Sequence, residues 1–375
     1  MIHLLADRNL YQLERYLPPA VDLEYYDPAQ GLPSNAPQAD ALLVRTVTKV
    51  NAKTLPLQDS RLRFVGTGSA GTDHVDIDYL ENHGVHFASA AGCNARAVAE
   101  YVTTVLLMWA ENNKVPVEEL SIGIIGVGHV GTTLQDLLDK IGVKTVGYDP
   151  PRAEREEDYH SASLEEVLNC DVLTFHTPLT YNGNWPTYHW LDNTKLNSRE
   201  YKLMINASRG GVIDEQALLE AHRDHRIDDF VLDVWENEPD FRDSSARQSW
   251  IATPHIAGYS EQAKHRATWM VCRSMAENLE LKLPKAPHYQ PQYVDPGNSQ
   301  EPKSLADMLS RVHPIMKYDH ALRGLIGLKS APKSKKFAQL RVEKPFRFEY
   351  QWIQMPTRCI TQYPVLNKLD ITSED

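Results

Sequence analysis

The feature that most constrains the fold is a glycine-rich turn, Gly126-Val127-Gly128-His129-Val130-Gly131, between two segments of different periodicity. The segment SIGII before it has the composition of a buried strand, and VGTTLQDLLDKIG after it has the periodicity of a helix. In a GxGxxG turn, glycines permit the tight turn, the approach of the backbone to a pyrophosphate and close helix–strand packing. The turn therefore predicts a dinucleotide site with cofactor contacts from Gly126, Gly128, His129, Val130 and Gly131.

An acidic residue stands where such a site needs one. The candidate strand KTVGY ends at Asp149, 18 residues beyond Gly131. A carboxylate at this distance is expected to hydrogen-bond the ribose hydroxyls. Its charge would repel the extra phosphate of NADP, so the sequence favours NAD. Arg152 weakens this preference slightly, because a nearby arginine can accommodate that phosphate.

Strands and helices alternate on both sides of this turn. Between residues 119 and 255 the candidate strands are SIGIIG, KTVGYD, DVLTFH, KLMINA, DFVLDV and SWIATP. This alternation predicts an α/β fold with a doubly wound parallel sheet, and six strands fit two mononucleotide-binding halves. Before residue 95, the shorter apolar runs HLLAD, ADALLVRT, LRFVGTG and VHFAS predict a second, smaller α/β domain.

We divide the chain into three predicted domains. Residues 1–95 with 256–285 form a substrate domain, residues 96–255 bind the dinucleotide, and residues 286–375 form a C-terminal α+β domain. The helical segment that begins at EQAKHRATWM is expected to return to the first domain. After the Pro-rich segment KAPHYQPQYVDPGN, the sequence predicts helices in SLADMLSRVHPIMKYDHALRGL and one or two strands in QLRVEKPFRFEYQW.

Composition and charge argue against several classes of protein. The net charge of −11 disfavours a partner made of nucleic acid, which would call for a basic excess. Four scattered cysteines without metal-ligand spacing predict a reduced cytoplasmic protein with no metal site. The chain starts without a signal-peptide pattern, and its most apolar segment, 102–110, is too short to cross a bilayer. We therefore expect no membrane partner.

Three candidate catalytic residues follow later strands, at the ends where open α/β sheets bind ligands. They are Arg209 in INASRGGVIDEQAL, Glu238 in LDVWENEP and His255 in TPHIAGY. A neutral histidine can take a hydroxyl proton, a glutamate can orient the imidazole, and an arginine can hold a carboxylate. Each residue alone also has a purely structural interpretation. Arg209 could form a surface ion pair, Glu238 could solubilise a loop, and His255 could be a packed ring. Together they predict the dehydrogenation of a 2-hydroxy acid.

The same motifs carry a family resemblance. Taken with GTGSAGTDHVDID at 66–78 and the strand ending in HTPL, they resemble the D-2-hydroxyacid dehydrogenase family over roughly the first 285 residues. The resemblance implies a flavodoxin-like substrate domain beside the Rossmann domain. It also implies that Arg209 binds and polarises the substrate, that Glu238 supports His255, and that His255 exchanges the proton. Further cofactor contacts are implied for His176, Thr177, Ala207, Ser208, Asp233 (near the carboxamide) and Gly258.

A narrower resemblance points to one branch of that family. The segments LLVRTVTKVN, AAGCNA, YDPPRA, LTFHTPL and HIAGY are similar to those of a member that oxidises a phosphorylated 2-hydroxy acid. That member carries a C-terminal dimerisation domain, so the resemblance implies a homodimer formed through residues 286–375. It also implies substrate contacts from Thr46 and Tyr259, and we predict further substrate contacts from Arg45, Thr67 and Ser69.

The residues that would bind the substrate phosphate stay open at this point. The loop at 67–71 could offer backbone N–H groups to a carboxylate. A phosphate needs cations, and Arg45, Lys49 and Arg96 are candidates. For each of them, an ordinary surface charge is an equally good interpretation.

Other functions also stay open. A relative that acts on phosphoglycerate, glycerate or lactate would carry the same catalytic set. A nucleotide-sensing regulator could share the fold, since fold alone does not give function, but it would not need a proton acceptor. A Rossmann-type methyltransferase is disfavoured by Asp149 together with His255.

Overall fold

The computed structural model describes residues 1–297 and 301–374. The chain divides into two compact units, which are described separately. Unit 1 comprises Met1–Asn94 and Glu261–Tyr289, and unit 2 comprises Ala95–Ser260 and Gln290–Asp375. Within the described ranges, no helix has the length and apolar character needed to cross a membrane.

The strands all pair in parallel. Their bounds are β1 Ile2–Asp7, β2 Val21–Tyr26, β3 Ala41–Val44, β4 Phe64–Thr67, β5 His86–Ser89, β6 Ser121–Ile125, β7 Lys144–Tyr148, β8 Val172–Phe175, β9 Tyr201–Asn206, β10 Ile227–Leu232, β11 Ile251–Ala252, β12 Gln292–Tyr293, β13 Ile353–Pro356 and β14 Thr372–Glu374.

The α-helices vary from single turns to the long α2 and α9. Their bounds are α1 Ile77–Asn82, α2 Ala95–Asn113, α3 His129–Ile141, α4 Pro150–Arg155, α5 Leu164–Leu168, α6 Asn193–Leu196, α7 Glu215–Arg223, α8 Asp243–Gln248, α9 Glu261–Asn278, α10 Leu305–Val312, α11 Ile315–Arg323, α12 Ser330–Leu340, α13 Thr357–Gln362 and α14 Val365–Lys368.

Unit 1 is built on a five-stranded sheet of order β2-β1-β3-β4-β5. This is the flavodoxin-like order that the family resemblance implies. The apolar side of α9 packs on the sheet, where Val271 and Met275 join a core with Leu4 and Phe64. β2 is not among the predicted strands, because this edge strand buries only Tyr26 and carries charged residues between its apolar ones.

Unit 2 contains a six-stranded sheet of order β11-β10-β9-β8-β6-β7, and all six predicted strands are confirmed. Separate apolar clusters cover its two faces, one including α2 and α3 and the other including α7. The strand order reverses at β6, since β7 lies on one side and β8 on the other. Ligands of open α/β sheets bind at the carboxyl ends of strands beside such a reversal.

The C-terminal segment belongs to the same compact unit as the large sheet. Its helices contribute Leu309 and Ile315 to the core that contains α2, and Arg347 Nη1 binds the buried carboxylate of Glu100 at 2.6 Å. The predicted helices are confirmed as α10 and α11. The strand predicted in QLRVEKPFRFEYQW is wrong, because α12 ends at Leu340 and residues 341–349 form no strand. The dimerisation role of this segment stays a prediction.

Candidate active site

The glycine-rich turn connects β6 to α3 at the point where the sheet reverses. Gly126 has a φ of +89°, and a β-carbon there would lie 2.8 Å from the carbonyl carbon of His176. A β-carbon on Gly131 would lie 2.3 Å from the carbonyl oxygen of Gly126, so glycine lets α3 start close to the turn. A β-carbon on Gly128, the N-cap of α3, would meet only open space. Such space at a helix N-terminus suits a pyrophosphate.

Asp149 follows β7, and backbone groups hold its carboxylate beside the glycine-rich turn. Its Oδ2 accepts the N–H of Val127 at 2.8 Å, and its Oδ1 accepts the N–H of Arg152 at 3.0 Å. The Arg152 guanidinium donates to the carbonyl oxygen of Val127 and to Glu156, both at 2.7 Å. Since protein acceptors hold Arg152, the negative charge of Asp149 dominates this position and favours NAD over NADP.

A cavity of about 700 Å³ lies next to Asp149 at the end of β7. Tyr148, Pro150, Tyr159 and Trp185 are among the residues that line it. Its mostly apolar wall and its position beside Asp149, the residue predicted to bind the ribose, suit an adenine ring. No sequence motif marks Tyr159 or Trp185, because both lie in loops remote in sequence from the glycine-rich turn.

His176 and Thr177 follow β8 at the same edge of the sheet. Burial lowers the pKa of His176 to about 3, so its ring is neutral. In the part of the chain that the structure describes, His176 Nδ1 and Thr177 Oγ1 are buried without a hydrogen-bond partner. Because buried polar atoms normally find partners, these two fit a site that a bound cofactor completes.

Asp233, at the end of β10, organises the loop that carries the candidate base. The side chain is almost fully buried, and its carboxylate accepts the N–H groups of Ile256 at 2.8 Å and Ala257 at 2.9 Å. It also accepts the hydroxyl of Thr253 at 2.6 Å. Burial raises the pKa of Asp233, while His255 and these donors oppose the shift. Its contact with a nicotinamide carboxamide stays a prediction.

His255 and Glu238 form a hydrogen-bonded pair. The Nδ1 of His255 lies 2.9 Å from each carboxylate oxygen of Glu238. Burial alone would raise the pKa of Glu238, but the charge and hydrogen bond of His255, with the charges of Arg341 and Arg209, lower it. Because Glu238 holds Nδ1, the other ring nitrogen, Nε2, is the one that can exchange a proton with a substrate.

Arg209 lies in the loop between β9 and α7, which Asn206 organises. The Asn206 Oδ1 accepts the N–H of Ser208 at 3.1 Å, and its Nδ2 donates to the carbonyl oxygen of Arg209 at 3.0 Å. The Arg209 guanidinium donates to the carbonyl oxygen of Ser208 at 2.8 Å. Its charge acts on Glu238. The structure therefore brings Arg209 to the same edge of the sheet as the pair formed by Glu238 and His255.

Two further residues hold the loop after β10, and the sequence analysis missed both. The Glu215 carboxylate accepts the N–H of Glu236 at 2.7 Å and the hydroxyl of Ser245 at 2.6 Å. At Gly210, a β-carbon would lie 1.8 Å from the carbonyl oxygen of Trp235, so only glycine lets the two loops meet. Both residues lie within INASRGGVIDEQAL, so this motif could have identified them as residues that support the site.

Unit 2 contains the remaining residues that the sequence predicts as cofactor contacts, together with Tyr259 and Arg96. Tyr259 packs edge-on against Phe346, with ring centroids 6.1 Å apart. Arg96 is a structural cation, because it binds Glu100 at 2.7 Å and Asp370 at 2.9 Å. The other cofactor candidates stand at the ends of elements already described: His129 and Val130 in the first turn of α3, Ala207 and Ser208 after β9, and Gly258 after β11.

The substrate residues predicted in unit 1 form two local networks. The Nε of Arg45 binds the buried carboxylate of Asp7 at 2.9 Å. The Oγ1 of Thr67 lies 2.8 Å from the Oγ of Ser69 and 2.9 Å from the Nε2 of His74. The first network follows β3 and the second follows β4. Two other candidates near Arg45 are exposed: Thr46 and Lys49.

Comparison with known proteins gives the class of enzyme. Residues 94–257 match the family model described as D-isomer specific 2-hydroxyacid dehydrogenase, NAD binding domain. The D-isomer specific 2-hydroxyacid dehydrogenase of Lactobacillus delbrueckii ssp. bulgaricus, solved with NAD, has a similar fold, with a TM-score of 0.58 and 20% identity. The match covers 76% of this chain and 99% of that one. Fold and site thus define an NAD-dependent 2-hydroxyacid dehydrogenase.

Relatives with higher identity narrow the class to one branch. The erythronate-4-phosphate dehydrogenase of Yersinia enterocolitica is 37% identical over 95% of this chain and 94% of its own length. The enzyme of the same name from Marinobacter nauticus is 40% identical over 75% of this chain and 74% of its own. The chain belongs to the family of the erythronate-4-phosphate dehydrogenases, a branch of the D-isomer specific 2-hydroxyacid dehydrogenases.

Proposed function

We propose that the protein oxidises 4-phospho-D-erythronate to the corresponding 2-oxo-4-phospho acid in the biosynthesis of pyridoxal phosphate. The observation that carries the reaction type is the 2.9 Å pair between His255 Nδ1 and Glu238, with the charge of Arg209 beside it. The names of the relatives at 37% and 40% identity support the choice of substrate.

Each of the three candidate catalytic residues has a separate role in the proposed reaction. The Nε2 of His255 takes the proton of the C2 hydroxyl as the C2–H hydride leaves, and the ring becomes an imidazolium. Glu238 stabilises that cation through Nδ1 and fixes the orientation of the ring. Arg209 holds the substrate carboxylate and polarises the carbonyl group that forms. NAD, when bound, supplies the hydride acceptor.

For the cofactor, we propose contacts from the residues named along the edge of the large sheet. The two orphaned polar atoms of His176 and Thr177 and the open space at Gly128 support this assignment. Asp149 would receive the ribose hydroxyls. Asp233 would approach the carboxamide end, because it lies beside the His255 loop.

For the substrate, we propose that Thr46, Thr67, Ser69 and Tyr259 provide polar contacts and that Arg45 binds the phosphate. Asp7 pairs with the Nε of Arg45, which leaves the two terminal amino groups of the guanidinium directed elsewhere. Such a fork matches the geometry of a phosphate better than a lysine point charge does. This makes Arg45 a better candidate than Lys49.

We further propose a cytoplasmic homodimer that associates through residues 286–375. Among the described residues of this segment, Tyr293, Met316 and Val342 expose large apolar side chains, which supports an interface there. The four cysteines are free thiols, which suits a reducing compartment. Light scattering that finds a monomer at working concentration would contradict the dimer.

The decisive experiment for the function is an NADH-absorbance assay with a panel of acids. We expect a much larger kcat/KM for 4-phospho-D-erythronate than for 3-phosphoglycerate, glycerate or lactate. The unphosphorylated erythronate is the matched control, since it differs only in the phosphate. A clear preference for one of the other acids would replace the proposed substrate but keep the reaction type.

A further inference from the structure

One cationic side chain of the C-terminal segment lies next to the proposed catalytic pair. Arg341 is the first residue after α12, and its Nη1 lies 3.4 Å from Oε1 of Glu238. Both side chains are largely shielded, with 24% of Arg341 and 20% of Glu238 exposed. Glu238 therefore contacts the candidate base and a cation from a segment about a hundred residues further along the chain.

Residues 341–349 also contact the loop that carries His255. Ser260, at the end of that loop, donates its hydroxyl to Glu349 at 2.8 Å, and both residues are fully buried. The Arg341 guanidinium lies 5.7 Å from the centre of the Tyr259 ring. Residues 341–349 thus contact Glu238 directly, and they contact Tyr259 and Ser260 at the end of the loop that carries His255.

The charges around Glu238 indicate what Arg341 does there. The groups that act on this carboxylate are His255, Arg341 and Arg209, and together they lower its pKa against the effect of burial. Burial would lower the pKa of Arg341, but Tyr259, Glu238 and Asp233 raise it, so the guanidinium stays charged. A fixed cation on one side of Glu238 keeps the carboxylate ionised while His255 alternates between its two protonation states.

We propose that Arg341 is a positioning residue, which holds the Glu238 carboxylate against Nδ1 of His255 and so makes the C-terminal segment part of the proton-transfer machinery. The proposal rests on the proposed function for its reaction. It assigns Arg341 no contact with the substrate or the cofactor. Its effect should therefore appear in turnover and in pH dependence rather than in binding.

The test compares Arg341→Gln and Arg341→Lys with Lys335→Gln. Lys335 is an exposed residue of the same helix, α12, so its substitution removes an equal charge away from the pair. Arg341→Gln should lower kcat about tenfold, the usual cost of losing a charge-assisted contact, with the KM values nearly unchanged. Arg341→Lys should recover part of the loss, and Lys335→Gln should match the wild type.

The pH profile gives the sign of the effect. If Arg341 holds Glu238 against Nδ1, its loss should weaken the stabilisation of the imidazolium and move the acid limb of the kcat profile to lower pH, by about half a unit. A ¹⁵N-histidine NMR titration should show the same shift without any turnover, with the His255 signal assigned by its absence from His255→Ala. Lys335→Gln should leave both curves in place.

Two results would overturn the proposal. One is Arg341→Gln and Arg341→Lys variants with an unmoved His255 titration, whatever their thermal stability. The other is a loss confined to the KM of the acid substrate, which would make Arg341 a substrate contact. If the wild type oxidises no 2-hydroxy acid, the proposed function fails, and the NMR titration still decides the role of Arg341.

Discussion

Glu238→Gln tests the charge in the proposed catalytic pair, Glu238 and His255, while keeping the shape of the side chain. In the wild type, His255 Nδ1 lies 2.9 Å from both carboxylate oxygens, and the amide can keep one neutral hydrogen bond. A hydrogen bond to a charged group is worth about 1.5–3 kcal/mol and a neutral one about 1 kcal/mol. The imidazolium that forms during hydride transfer would lose the difference, about 0.5–2 kcal/mol. The kcat should fall about 2- to 30-fold.

The assay is steady-state NADH formation, with NAD affinity measured separately by fluorescence quenching. The matched control is Glu236→Gln in the same loop, which removes a carboxylate that lies 2.5 Å from Nε2 of His189. We expect this control to keep the wild-type kcat within about twofold. The acid limb of the kcat profile should move to lower pH in Glu238→Gln, since the imidazolium loses its counter-ion. A kcat equal to that of the wild type, or an equal loss in both variants, would refute the reasoning.

The same variant should change the stability of the protein in acid. The pKa of Glu238 is lowered in the folded protein, so its ionised form stabilises the fold above the ordinary carboxyl pKa of about 4.3. That contribution is lost as the pH falls through the lowered folded-state pKa. The melting temperature of the wild type should therefore decline more steeply in this acid range than that of Glu238→Gln. Parallel declines would mean that the pair contributes nothing to folding.

Three further substitutions test single residues. His255→Ala should retain NAD binding and lose roughly 10²–10⁴-fold in turnover, and near-normal turnover would remove His255 as the base. Asp149→Ala should weaken NAD and narrow its advantage over NADP, as measured by kcat/KM with each cofactor; a wild type that already prefers NADP would contradict this. Arg45→Ala should raise the KM of the phosphorylated acid by about one to two orders of magnitude. Equal losses for unphosphorylated acids would show that Arg45 does not bind the phosphate.

Local patterns explain why much of the fold could be predicted. Five of the six strands of the large sheet are largely buried, so each appears in the sequence as a short apolar run, while the edge strand β7 is only partly buried. The helices α3 and α7 have clear apolar faces. β2 was missed because it lies at the edge of its sheet, where most side chains stay accessible. Edge strands lack the continuous apolar signal of central ones.

Contacts between distant parts of the chain explain the errors. The segment 341–349 has the alternation of a strand, but its conformation depends on groups far away in sequence. Arg347 binds Glu100, and Glu349 binds Ser260, across about 250 and 90 residues respectively. Periodicity reports only local preferences, so a tertiary ion pair and a tertiary hydrogen bond override it here. No local pattern marks Arg341 either, because its contact with Glu238 spans 103 residues.

The candidate catalytic residues could be named from sequence because they follow strand ends, but the residues that hold them in place are buried acids. Asp233 accepts two backbone N–H groups from the loop of His255, whose φ is +57°. Glu215 accepts a backbone N–H from the loop of Glu238. Burial raises the pKa of both acids, so their ionisation is opposed by the fold. A neutral side chain could not satisfy the same donors as strongly, so both acids are suited to fixing the backbone that aims the catalytic pair.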